Sequence, residues 1–123
     1  MTTNPTNPVL KNLFTLNHKV TIYVPATCGV AEACDNTAQV ERVARLLSGW
    51  FGGATSSPAL GYWLSESAGL VAERTTVVFA FAAEKDFTAH LEDVVNLCGG
   101  LCREMQQEAV ALEVDGAMYF VNG

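Results

Sequence analysis

The stretch Arg74-Thr75-Thr76-Val77-Val78-Phe79-Ala80-Phe81-Ala82-Ala83 decides how this chain folds. It is dense in β-branched and aromatic residues, the composition of a strand. Val77, Phe79 and Phe81 point one way; Thr76, Val78, Ala80 and Ala82 make a small, smooth opposite face. Just upstream, Ala59 to Ser65 alternates as well, with Leu60, Tyr62 and Leu64 on one face and Gly61 and Trp63 on the other. Gly69 falls between the two runs, and the spacing suits an antiparallel hairpin.

Downstream, about Lys85 to Gln107 reads as a helix, with Phe87, Leu91, Val94, Val95, Cys98, Leu101, Cys102 and Met105 in one apolar stripe. Gly99 and Gly100 interrupt it at about 1 kcal/mol each relative to alanine, which suits a bend or a close contact. Ala109 to Val114 alternates again, Asp115-Gly116 is a turn signal, and Ala117 to Val121 follows as a short edge strand.

Upstream of the hairpin, Asn36 and Gln39 have the spacing of a capping box. Val40, Val43, Ala44, Leu47, Trp50 and Phe51 then recur at helical spacing until Gly52-Gly53. The loop that follows runs through Pro58. His18 to Ala26 is a half-buried strand with Val20, Ile22 and Val24 facing inward, and Thr27 to Asp35 is a loop. Residues 1–17 form an arm that Val9, Leu10, Leu13, Phe14 and Leu16 would dock onto the body, and residues 18–123 form one domain.

This order is the split βαβ plan of the ferredoxin-like class. The predicted fold is α+β: βαββαβ plus a C-terminal edge strand, an antiparallel sheet with two helices on one face. The opposite face is then open. Strand phase assigns it Tyr23, Trp63, Thr76, Val78, Ala80, Ala111 and Glu113. An open face of aromatic and small apolar side chains marks a partner or ligand surface. Tyr23, Trp63 and Val78 are the residues expected at a homodimer or ligand face; the arm folding across it is the alternative.

The chain's 123 residues fit one domain, and 50% of them are hydrophobic, so long disorder is excluded. No apolar run approaches the roughly 20 residues of a membrane-spanning helix. Met1 to Lys11 is polar with two prolines, unlike a signal peptide, so a cytoplasmic setting is expected. Acids and bases cancel from Met1 to Ala83, and the whole net charge of −6 lies beyond it. That balance argues against direct nucleic-acid binding, which needs clustered Lys and Arg. It offers either a solvated face or an acidic docking surface, on which Glu92, Asp93 and Glu104 are the candidate partner-binding residues.

The four cysteines, Cys28-x5-Cys34 and Cys98-x3-Cys102, do not have zinc-site spacing, so no metal is expected. Cys98 and Cys102 fall on the apolar stripe as small hydrophobes. Cys28 and Cys34 flank a loop and could pair under oxidation, with free thiols the default. His90, with Asp86 and Asp93 at helical spacing, suits a metal-binding cluster, an acid–base pair or, as the expected case, an ordinary charged helix face. His18 has no identifiable partner. Gly52 to Ser57 has a phosphate loop's composition but follows a helix C-terminus, the wrong electrostatic end. No convergent set of titratable residues points to a catalytic centre, and no cofactor is expected.

Leu16 to Val24, Leu47 to Thr55 and Gln107 to Phe120 resemble segments of small uncharacterised proteins carried by bacterial mobile elements. The resemblance implies a phage- or plasmid-borne accessory protein, a class that includes anti-CRISPR inhibitors, and it carries over no catalytic residue. The function expected is therefore a non-enzymatic module, a homodimer that binds an unidentified protein and inhibits a defence or nucleic-acid-processing protein. The alternative is a small-molecule-binding protein: a dimeric ferredoxin-like enzyme or sensor.

Overall fold

The structure, a computed structural model, describes residues 7–28 and 32–123. The parts of the arm and of the loop after Thr27 that were read at positions 1–6 and 29–31 lie outside the described residues. The elements run β1 (His18–Pro25), β2 (Thr27–Cys28), β3 (Glu32–Ala33), α1 (Thr37–Phe51), β4 (Thr55–Ser65), β5 (Gly69–Ala82), α2 (Glu84–Glu104), β6 (Val110–Val114) and β7 (Ala117–Val121). Five strands form one antiparallel sheet in the order β4-β5-β1-β6-β7, and β2 pairs with β3 as a separate small hairpin. This is the ferredoxin-like arrangement, with both helices on one sheet face.

The core lies between that face and the helices. Val20, Ile22 and Val24 of β1, Val78, Ala80 and Ala82 of β5, and Val110 and Leu112 of β6 are buried against Val43, Leu47 and Phe51 of α1 and Val94, Cys98, Leu101 and Cys102 of α2. The cross-strand register explains the set. Ile22 pairs with Val78 and Val20 with Ala80, and partners across antiparallel strands share a face.

Val78 and Ala80 therefore belong to the core, a correction to their expected place on the open face. Both faces of the Arg74 to Ala83 stretch are apolar, so alternation alone does not say which one the helices take. Phe79 and Phe81 occupy the open side instead, with the Lys19 ammonium 4.5 Å from the Phe79 ring centre and 5.6 Å from that of Phe81.

Three local features also differ from expectation. Strand β4 begins at Thr55 and runs through Pro58, which an edge strand tolerates because its outward N–H has no ladder partner. The Asn36 side chain makes no cap hydrogen bond; Asp35 accepts from the Thr37 amide and hydroxyl, at 3.0 and 2.6 Å, in its place. In the arm, Val9, Leu10, Leu13 and Phe14 are exposed, and Leu16 alone of the five is half-buried. Gly52 ends α1 with φ of 101° and its N–H on the Ser48 carbonyl, as a glycine C-cap should.

Candidate functional site

Strand β5 is longer than its neighbour allows. Only Thr75 to Ala82 pairs with β1, while Gly69 to Arg74 pairs with β4 alone. The chain alternates through both strands and turns at Gly69, which has φ of 72°. The result is a two-stranded ribbon projecting beyond the sheet. Leu60, Tyr62, Leu64 and Leu70 are exposed on it. Trp63 is half-exposed, and its indole N–H donates to a Glu73 carboxylate oxygen at 3.2 Å.

Several hydrogen bonds fix the ribbon's root. The Ala26 amide donates to the Arg74 carbonyl at 3.3 Å, and the Thr75 hydroxyl donates to the Val24 carbonyl at 3.0 Å. The Asn36 side-chain amide donates to the Pro25 carbonyl and the Thr76 hydroxyl, each at 3.1 Å. The β2–β3 hairpin stands beside this root. Cys28 and Cys34 are disulfide-bonded with Cα atoms 5.8 Å apart, where free thiols were the default expectation. The sequence showed only that the two flank a loop; the β2–β3 pairing brings them together. The Gln107 side chain donates to the Thr27 carbonyl at 2.8 Å and so anchors this hairpin to the end of α2.

Two adjoining clefts open at the root and share Ala26 and Arg74. One, of about 660 Å³, is lined by Cys34, Asp35, Asn36, Pro58, Leu60, Thr75 and Thr76 among others. The other, of about 430 Å³, carries Trp63, Val71, Ala72 and Glu73 against Thr27 and Ala33. The Thr37 hydroxyl, and then its amide, hold the Asp35 carboxyl below its ordinary range, so Asp35 is ionised at neutral pH. An aromatic ring, two carboxylates and a guanidinium thus surround adjoining hollows of ligand size.

The opposite end of the sheet holds a second polar cluster. His18 is only 8% exposed. Its Nδ1 lies 2.6 Å from Asp115 Oδ2, its Nε2 contacts Glu84, and its ring stacks on Phe87 at 3.9 Å. The Asp115 hydrogen bond raises the His18 pKa against the opposing effect of burial, and Glu84 adds to the rise. Burial alone would lift the Asp115 carboxyl, but hydrogen bonds from His18 and the Lys19 amide, with the imidazolium charge, bring it below the usual carboxylate value. Sequence reading left His18 without a partner. The signal was available only through topology, because a βαββαβ sheet joins the start of β1 to the ends of β5 and β6.

The expected site residues are dispersed. Tyr23 is half-buried within the sheet, its hydroxyl 3.4 Å from a Glu113 oxygen, and burial followed by the Glu113 charge raises its pKa. Trp63 lies on the ribbon and Val78 in the core. On α2, Glu92 is exposed, and Asp93 pairs with His90 at 2.9 Å. Glu104 is not a free surface charge: it pairs with Arg42 at 2.9 Å and accepts from Gln39 at 2.7 Å, tying α2 to α1. His90 stacks on Trp50 at 5.5 Å. Among the described residues no group of three His, Cys, Asp or Glu side chains is placed to hold a metal. Cys98 is buried, and burial pushes its thiol up to about 12. The buried Cys102 thiol donates to the Gln107 carbonyl at 3.0 Å.

No family model matches the chain, and no curated protein matches it. Among solved structures, a phage SAM lyase in complex with S-methyl-5′-thioadenosine is similar, with a TM-score of 0.63 at 18% identity over 90% of this chain and 95% of that one. The apo state of a phage SAM lyase gives 0.60 at 17% identity, over 91% and 94%. At such identity the likeness is one of fold. It corrects the expected non-enzymatic interaction module, because the proteins that share this plan over nearly their whole length are described as an enzyme, one of them holding a small molecule. The small-molecule alternative is the better supported reading.

Proposed function

We propose that this protein binds an adenosyl sulfonium compound, S-adenosylmethionine or a close relative, in the clefts at the ribbon root and cleaves it to the thioether. The observation that carries this reading is the Trp63–Glu73 pair beside the second cleft. A sulfonium is a soft cation that sits well over an aromatic face and beside a carboxylate. Trp63 also offers a surface on which a purine can stack. The fold likeness to phage SAM lyase, one example of which holds a thioether of this class, supports it.

When the bond from sulfur to the amino-acid side chain breaks, the electron pair stays on sulfur and discharges the cation. The carbon left behind is taken by the substrate's own carboxylate, or by water with release of a proton. The protein's share is to bind and orient the sulfonium over the Trp63 face and beside the Glu73 carboxylate. The test is calorimetric titration with S-adenosylmethionine and with S-methyl-5′-thioadenosine, followed by chromatography of incubated S-adenosylmethionine. Binding with accumulation of the thioether supports the reading, binding without turnover makes the protein a sensor, and no binding of either compound removes it.

The reading places the protein in a bacterial host's cytoplasm, in keeping with the phage source of the similar structures. A homodimer remains part of it, now through the ribbon, where Leu60, Tyr62, Leu64 and Leu70 are exposed side by side and gain by being covered. Light scattering on the wild type and on Leu64→Lys tests this: a dimer that the variant converts to a monomer supports it, and a monomeric wild type ends it.

A further inference from the structure

We propose that Arg74 and Asp35 together recognise an α-amino-acid head group, Arg74 taking the carboxylate and Asp35 the ammonium. This deepens the proposed function and rests on it. Both residues line the larger cleft. They carry opposite charges, yet among the described ion pairs neither is joined to the other or to any other group. Among the described residues the Arg74 guanidinium has no hydrogen-bonded side chain. Asp35 engages only its Oδ1, with the Thr37 hydroxyl and amide, which leaves Oδ2 for a ligand.

Both positions are held from the backbone. Arg74 is fixed where β5 leaves β1, through its carbonyl on the Ala26 amide, and Asp35 is fixed at the start of α1 by its turn onto Thr37. Two opposite charges carried on anchored backbone positions, lining one cleft without pairing with each other, match a ligand with its own charges set apart. A plain anion such as phosphate would meet Asp35, and a plain cation would meet Arg74. A zwitterion satisfies both with charge-assisted hydrogen bonds. Glu73 does not line this cleft; it stands with Trp63 at the neighbouring one. In S-adenosylmethionine the zwitterion lies a short aliphatic chain from the sulfonium, and the two clefts adjoin at Arg74 itself.

The experiment compares two ligands that differ by this head group. Wild type, Arg74→Gln, Arg74→Lys and Asp35→Asn are titrated with S-adenosylmethionine and with S-methyl-5′-thioadenosine, and the fold of each is checked by circular dichroism. Arg74→Gln and Asp35→Asn should each lose about tenfold or more in affinity for S-adenosylmethionine. Affinity for the thioether, which has no amino-acid group, should be unchanged. Arg74→Lys, which keeps the charge but loses the planar fork, should recover part of the loss. If both ligands weaken together, or S-adenosylmethionine binds the variants as it binds wild type, the head-group assignment is overturned while the ligand class stands. If wild type binds neither ligand, the proposed function fails and this assignment fails with it.

Discussion

His18 Nδ1 lies 2.6 Å from Asp115 Oδ2, so the first residue of β1 is tied to the turn of the last hairpin. With Glu84 on the other ring nitrogen and Phe87 stacked on the face, one imidazole joins β1, α2 and the β6–β7 turn.

This arrangement gives stability a pH signature. The folded His18 pKa is raised above 6.5, so its contribution is complete below that value and is lost as pH rises through the folded pKa. The folded Asp115 pKa is lowered below 3.8, so its contribution is present above that value and is lost as pH falls through the folded pKa. The melting temperature should therefore be highest between about pH 4 and 6.5 and decline on the alkaline side. His18→Gln should melt lower than wild type at about pH 5.5, and the gap should narrow by about pH 9. Thermal unfolding at both values checks this. A gap that does not change with pH would leave the imidazole a packing group only.

At the ribbon, Glu73→Gln keeps an acceptor for the Trp63 indole but removes the charge. It should weaken S-adenosylmethionine by about tenfold and spare the neutral thioether. Trp63→Ala removes the ring and should weaken both ligands by about 1–3 kcal/mol. Calorimetry on the two variants separates the charge from the stacking surface.

The adjacent glycines of α2 should respond differently to alanine. At Gly100 the nearest group to an added Cβ is an Arg103 side-chain nitrogen 3.9 Å away, whereas at Gly99 it is the Asn122 backbone carbonyl at 3.3 Å. Gly100→Ala should therefore stabilise by about 0.5–1 kcal/mol through helix propensity alone. Gly99→Ala should gain less, or lose, because the chain near the C-terminus must shift. Urea unfolding of both variants gives the comparison, and equal gains would show that this close approach costs nothing.

The Cys28–Cys34 disulfide closes a short loop, and loop-closure entropy puts its contribution at about 2 kcal/mol. A thiol reductant, or Cys28→Ser, should lower the melting temperature accordingly. Thiol titration of the native oxidised protein should find no reactive group, because Cys98 and Cys102 are buried. Titration in denaturant should find these two. Fast-reacting thiols in the native, unreduced protein would mean that Cys28 and Cys34 are free.

The sequence by itself determined the features that depend on near neighbours. The helical stripes of α1 and α2, the αL glycine after Phe51 and the positive φ of Asp115 and Gly116 in the last turn are local in origin. Periodicity and backbone sterics display such features directly, and their order was enough to give the βαββαβ plan. Tertiary structure alone decided what depends on register. Val78 went to the core because it pairs with Ile22, although its own strand is apolar on both sides. His18 met Glu84 and Asp115 because the topology joins three strand and helix ends that lie far apart in the chain. Arg74 and Asp35 came to line one cleft for a similar reason: β5 outruns β1 just where α1 begins. Local patterns fix what each segment becomes, while the neighbours of a side chain are set by pairing across the sheet, which no single segment encodes.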